Sequence, residues 1–267
     1  MPINPADGPI LGTLYGSDAM RAVFDERSYF QRMLDVEAAL ARVQARLGII
    51  PAEAASAITE AARFENLRAD ELAASARNVG YPVVGLVNGL SRAAGAAGGW
   101  THWGATTQDI MDTATVLQVR DGLALVRTEL AALLRALSTQ ADRHRRTVMA
   151  GRTHLQQALP TSFGLKCATW ALPFVSHLQR LDQLRPRVEL VEFAGAAGTL
   201  ASLGDQGIAV MEALAVELAL GVPVAPWHVS RDGLAETVSF LGLVCGSLAK
   251  LATDIILLAQ TEVGEVA

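Results

Sequence analysis

Between Val116 and Leu137, apolar residues recur at alternating intervals of three and four: Val116, Val119, Leu123, Val126, Leu130, Leu133 and Leu137, with no proline among them. This spacing lays one apolar stripe along an α-helix and suits packing beside near-parallel neighbours. A helix from about Asp109 to Arg146 would be about 55 Å long at 1.5 Å per residue, and so long a rod needs partners along its whole length. A second stripe with the same spacing runs through Leu234, Val238, Leu241, Cys245, Leu248, Ala252, Ile255 and Ala259. Between the two, Pro160 opens a further candidate helix to Arg185, with a bend expected at Pro173 and a stop at Pro186.

The first hundred residues have shorter periodic runs, at Ser17–Leu47, Ala52–Arg63, Ala69–Ala76 and Val83–Ala94, closed by the glycines from Gly95 to Gly99. The pattern predicts an all-α fold, with a small helical N-terminal domain over 1–100 and an elongated bundle of long helices over 101–267. Hydrophobic residues make up 51% of the 267-residue chain with only 5% aromatics. So apolar a helical chain should bury part of its surface against other subunits. Cys167 and Cys245 each fall in an apolar helical run without the spacing of a metal clip, and both are expected in the core of a protein from a reducing cytoplasm.

A net charge of −5 offers no basic face for nucleic acid. The opening Met-Pro-Ile-Asn-Pro does not have the pattern of a signal region, and no uncharged apolar run reaches the ~18 residues of a membrane span. No nucleic-acid or membrane partner is therefore expected. The five histidines are scattered without helical ligand spacing, so no metal is expected. Phosphate loops, dinucleotide fingerprints and a nucleophile elbow are also missing, so no cofactor is expected.

Three polar segments have no packing explanation. In His-Trp-Gly-Ala-Thr-Thr-Gln-Asp (102–109), Thr106, Thr107 and Gln108 stand where the long helix begins. Free N–H groups there, helped by hydroxyls, can hold a carboxylate, although Thr107 or Asp109 as a plain helix cap explains the spacing equally well. In Gly-Arg-Thr-His-Leu-Gln-Gln (151–157), Arg152, Thr153, His154, Gln156 and Gln157 group a cation, a hydroxyl, an imidazole and two amides. Such a set can bind an anion and move a proton; a structural histidine is the alternative. In Trp-His-Val-Ser-Arg-Asp (227–232), Arg231 could meet a substrate carboxylate, while Ser230 or Asp232 could cap a helix. His144 fits a solvated helix end and His177 a helix contact.

The first two segments, the long helices and the Trp-His-x-x-Arg-Asp stretch together resemble the fumarase/aspartase superfamily, over essentially the whole chain. Ala-Arg-Asn-Val-Gly-Tyr-Pro-Val-Val (76–84) is most similar to its 3-carboxy-cis,cis-muconate cycloisomerases. Adenylosuccinate lyases would show His-Asp-Val near Tyr81, Pro82 and Val83, and argininosuccinate lyases Glu-Asp-Val-His.

The resemblance implies a homotetramer whose long helices merge into one core, with active sites shared between subunits and a small anionic tricarboxylate as substrate. It implies intramolecular addition of a carboxylate to a diene with proton transfer, giving 4-carboxymuconolactone in protocatechuate breakdown. Carried over by motif, Thr153 and His154 are catalytic, and Thr106, Thr107, Gln108, Arg152, Gln157 and Arg231 bind substrate. Lys166 aligns with the end of the second motif but suits a structural role. The superfamily's third motif, Gly-Ser-Ser-x-Met-Pro-x-Lys-x-Asn, does not occur in this sequence, nor does the helical C-terminal domain that normally follows it; a truncated chain is expected, the alternative being that other groups take over the motif's part. A fumarate-releasing lyase of the adenylosuccinate type and a non-catalytic helical oligomer are the alternatives.

Overall fold

The computed structural model describes residues 8 and 10–266; the opening Met-Pro-Ile-Asn-Pro lies outside them. Nine α-helices and one β-hairpin are seen among the described residues: α1 Asp18–Phe24, α2 Glu26–Arg46, α3 Ala52–Ala61, α4 Ala69–Val79, α5 Val83–Ala93, α6 Thr107–Arg143, β1 Val148–Thr153, β2 Gln156–Ser162, α7 Phe163–Val188, α8 Gly207–Leu218 and α9 Asp232–Leu258. The chain divides into two compact units, Met1–Gly122 with Pro186–Arg231, and Leu123–Arg185 with Asp232–Ala267. The expected boundary near residue 100 falls inside the first unit.

In the first unit α2 is central because its stretch from Met33 to Gln44 is buried on nearly every side. Met33, Leu34 and Ala41 join Ile58, Leu86, Leu90, Ile110 and Leu117 in one buried cluster. Ala39, Leu40 and Val43 join Val191, Phe193, Val210 and Leu214 in another. The single helix expected over Ser17–Leu47 is instead two. Asp25 has an extended backbone and its Oδ1 accepts the Ser28 N–H (2.6 Å), so it caps a new helix instead of continuing the old one. The chain from Pro186 to Arg231 returns to this unit, where Thr113 Oγ1 bonds both the Glu192 carbonyl and its N–H at 2.9 Å.

The second unit is built from the C-terminal part of α6, the hairpin, α7 and α9. The α6 stripe points inward as its spacing predicts, with Leu123, Leu130 and Leu137 buried. Helix α9 does not follow its predicted stripe. Thr237, Phe240, Val244, Leu251 and Leu258 are buried, whereas Val238, Cys245, Leu248 and Ile255 face outward. This helix is apolar on more than one side, and spacing alone does not choose which side turns in. Cys167 is buried as expected, and burial pushes its thiol up; Cys245 is exposed.

Residues 148–162 depart furthest from the sequence pattern. Pro160 does not start a helix: it lies in β2 opposite Ala150, and α7 begins at Phe163 behind Ser162, whose Oγ accepts the Leu165 N–H (3.1 Å). The N–H groups of Phe163 and Gly164 donate back to the carbonyls of Thr147 and His144. Any Cβ on Gly164 would stand 2.5 Å from the Ala141 carbonyl, so only glycine permits this approach. Helix α7 then runs through both Pro173 and Pro186. His177 makes the expected helix contact, with Nε2 at 2.8 Å from the Ser247 hydroxyl.

Candidate active site

In the first unit the start of α6 is organised by one carboxylate. The Thr106 N–H donates to Asp109 Oδ2 (2.9 Å) and the Asp109 N–H returns to the Thr106 carbonyl (3.1 Å), a reciprocal cap on a 37-residue helix. Asp109 is buried and also accepts the N–H groups of Ala194 and Gly195, each at 3.0 Å, and His228 Nε2 at 2.8 Å. Its two oxygens thus tie three separate stretches of chain together. Capping, the alternative reading of Asp109, is what the geometry shows. None of these bonds uses the hydroxyls of Thr106 or Thr107, which are half-buried beside the helix start.

The Trp227–Arg231 stretch is docked on this helix start residue by residue. Gln108 Nε2 donates to the His228 carbonyl (2.6 Å) and to Asp112 Oδ2 (3.0 Å). The Trp227 N–H donates to Glu192 Oε2 (2.7 Å) and its indole N–H to the Val191 carbonyl (2.9 Å). Arg231 forms a two-pronged ion pair with Asp112 at 2.7 and 2.8 Å, and its guanidinium lies over the Trp227 ring. Expected at a substrate carboxylate, Arg231 is here committed to a carboxylate of its own chain, and the amide nitrogen of Gln108 is likewise engaged.

Glu192 and His228 are site residues that sequence reasoning missed. Burial lifts the Glu192 carboxyl to about 7; the Trp227 N–H and His228 oppose the rise, and Asp109 and Asp112 reinforce it. Nearby, His102 is bonded to buried Glu37 through both Nδ1 (2.5 Å) and its backbone N–H (3.1 Å). Burial disfavours charge on the His102 ring, but Glu37, with help from Asp109, more than reverses this and raises it.

Among the described residues, Asp109, Glu192 and His228 are the one group whose ligand atoms converge as a metal site would require. The bonding does not fit a metal: His228 Nε2 faces an Asp109 oxygen at 2.8 Å as an N–H donor, and Asp109 is already saturated by N–H groups.

In the second unit, Thr153 and His154 stand at the tip of the β1–β2 hairpin. Thr153 pairs with Gln156, leaving a two-residue turn of His154 (φ +52°) and Leu155 (φ +61°). Both residues are left-handed, the conformation of the tightest hairpin turns and one usually given to Asn or Gly. Holding a non-glycine residue there costs on the order of 1–3 kcal/mol. The tip is exposed, and His154 Nδ1 lies 3.0 Å from the Thr153 hydroxyl.

Arg152, expected at substrate, instead grips Glu265 through two bonds of 2.6 and 2.9 Å, and lies opposite Gln157 in the strand register. The shared pairing raises the Arg152 guanidinium and lowers the Glu265 carboxyl. Within this unit a cavity of about 730 Å³ is lined by Arg152, His154, Lys166, Lys250 and Asp254. Lys166 bonds Asp254 at 3.0 Å, the structural role its apolar helix suggests.

Residues 14–267 match the family model described as lyase. The chain belongs to the lyase family of the fumarase/aspartase superfamily. It is 49% identical to a 3-carboxy-cis,cis-muconate cycloisomerase of Pseudomonas aeruginosa, over 92% of this chain and 55% of that protein. It is 47% identical to trans-aconitate decarboxylase 1 of Mycosarcoma maydis, over 96% of this chain and 52% of the other. The crystal structure of the 3-carboxy-cis,cis-muconate lactonizing enzyme from Pseudomonas putida superposes with a TM-score of 0.93 at 43% identity, covering 96% of this chain and 59% of that one. The chain thus spans little more than half the length of these relatives.

Proposed function

We propose that this chain is a cytoplasmic cycloisomerase that converts 3-carboxy-cis,cis-muconate to 4-carboxymuconolactone in protocatechuate degradation, as a homotetramer with active sites shared between subunits. The observation that carries the reading is the exposed hairpin tip, where a strained two-residue turn presents His154 beside the Thr153 hydroxyl. The names of two of the relatives support the substrate.

In the reaction one carboxylate oxygen bonds to a diene carbon, the π electrons move toward the carbon next to another carboxylate, and that carbon takes a proton. Nothing is oxidised or reduced, so the step calls for no redox cofactor. Because attack is intramolecular, orientation supplies much of the acceleration. Negative charge grows on the carboxylate beside the protonated carbon. Donors already aimed at it lower the barrier more than they favour bound substrate. Thr106, Thr107 and the open N–H groups at the start of α6 are suited to that carboxylate. Gln108 and Arg231 act by holding this turn, and Arg152 and Gln157 by holding the hairpin. His154, with Thr153, relays the proton or polarises a carboxylate.

The test is loss of diene ultraviolet absorbance when 3-carboxy-cis,cis-muconate is mixed with the purified protein. The product should be the lactone, with no fumarate released; release of fumarate from adenylosuccinate instead would favour the lyase reading. His154→Asn should fold normally and lower turnover by a factor on the order of 10². Unchanged turnover in that variant would remove His154 from the mechanism.

A further inference from the structure

Glu192 Oε1 is buried without a hydrogen-bond partner, 3.6 Å from His228 Nε2, while Oε2 accepts the Trp227 N–H. An orphaned oxygen on a carboxylate closed off from water is an unfavourable arrangement. Asp109 offers it no donor, since both Asp109 oxygens already accept N–H groups. One added proton removes the buried charge. Held on Glu192, it makes that side chain a neutral acid.

We propose that Glu192 holds a proton, and that this proton positions the Thr106–Gln108 turn by keeping the Trp227–Arg231 stretch docked on the start of α6. The path is short. His228 bonds Asp109, which receives the Thr106 N–H, and the His228 carbonyl receives the Gln108 amide. Without the proton, Asp109 and Glu192 face each other as unneutralised buried charges.

Arg231 acts on Glu192 too, but its two-pronged bond is spent on Asp112. From α6 the groups facing Glu192 are Asp109 and Asp112; from the docked stretch they are His228 and Arg231, and Arg231 is paired with Asp112. His102, a further titratable group near Asp109, is held by Glu37. Burial, reinforced by Asp109 and Asp112, lifts the Glu192 carboxyl to about 7, so the proton is lost near neutrality. Glu192 and His228 are therefore positioning residues. The consequence for substrate rests on the proposed role of Thr106–Gln108, whereas the pH-dependent order of the turn does not.

The test is amide hydrogen exchange by mass spectrometry on the whole chain between pH 5.5 and 8.5, following peptides over 103–112 and 226–232 and correcting for intrinsic exchange rates. In the wild type, protection of both peptides should fall by about fivefold or more through a midpoint near neutrality. Glu192→Gln, neutral at every pH, should keep its protection flat across the range. A flat wild-type profile, or an equal fall in Glu192→Gln, overturns the proposal. If that variant does not fold, the wild-type profile decides alone. The readout needs no turnover, so a failure of the cycloisomerase reading and a failure of this proposal give different results.

Discussion

Asp254 gathers two lysines and an indole N–H at a single oxygen. One carboxylate oxygen receives the Trp170 indole N–H (2.7 Å), Lys166 Nζ (3.0 Å) and Lys250 Nζ (2.5 Å). Both lysines of the chain are thus bound to one acid. Burial alone would raise the Asp254 carboxyl, but Lys250, Trp170 and Lys166 outweigh it and hold the group at about 2. Because the folded value lies below the ordinary 3.8, the unfolded chain takes up the proton first as pH falls. The stabilisation is therefore complete at neutral pH and fades as pH drops through about 4 toward 2. Its size is about 2 kcal/mol. Asp254→Asn should lower the unfolding free energy by about that amount at pH 7 and by about half as much at pH 3, measured by urea titration. A gap independent of pH would mean that the charge of Asp254 contributes nothing.

At the scale of elements, the hairpin is held by its far end as much as by its own ladder. Glu265 grips Arg152 through two bonds and accepts the Ala150 N–H, so the stretch after α9 braces β1 just behind the tip that carries Thr153 and His154. The brace spans the bulge at Gly151, where a Cβ would meet the Leu159 carbonyl at 2.6 Å. Arg152→Glu or Glu265→Arg alone should speed exchange of the Ala150 amide by roughly tenfold, the scale of losing a charged hydrogen bond. The double swap should restore most of the protection, and additive losses would show that the pair does not brace the strand. This hairpin is also where the sequence was least legible. Its polar residues marked it as a place for chemistry, but no Asn-Gly or Asp-Gly announces the turn, and Pro160 reads as a helix start. The left-handed His154 and Leu155 defy the local preference that a sequence pattern relies on. Helix α6, by contrast, was legible to within a few residues because a proline-free stripe of period 3.5 has one solution. The Asp109, Glu192 and His228 cluster was invisible for a different reason: its members come from three distant stretches, and no spacing links them.

On the scale of the whole molecule, α9 stands out for the apolar surface it leaves exposed. An 18-residue stretch of it has a mean hydropathy of 1.8 yet is only 17% buried, enough by length and composition to cross a bilayer. Glu236, Lys250 and Asp254 interrupt the helix, and Asp254 is tied to Lys166 and Trp170 of α7 within the unit. A lipid-facing helix would have to leave that network or carry it into hydrocarbon, which is unfavourable. Burial against further copies asks for neither. Residues five turns apart, Val238 and Ile256, are 69% and 68% exposed on one side of the helix, with Cys245 between them. The buried Phe240, Val244 and Leu251 lie elsewhere around it. Large apolar faces of this kind on a folded chain mark an association surface. Val238→Arg should therefore leave the helical content intact while shifting the protein from the proposed tetramer toward smaller species in sedimentation equilibrium. Because the long helices would form the shared core, the same variant should lose thermal stability as it is diluted, since an assembly held by mass action weakens with concentration. A wild-type protein that sediments as a monomer, or a variant with unchanged mass, would rule this face out as the contact and leave the exposed stripe of α9 to a different partner.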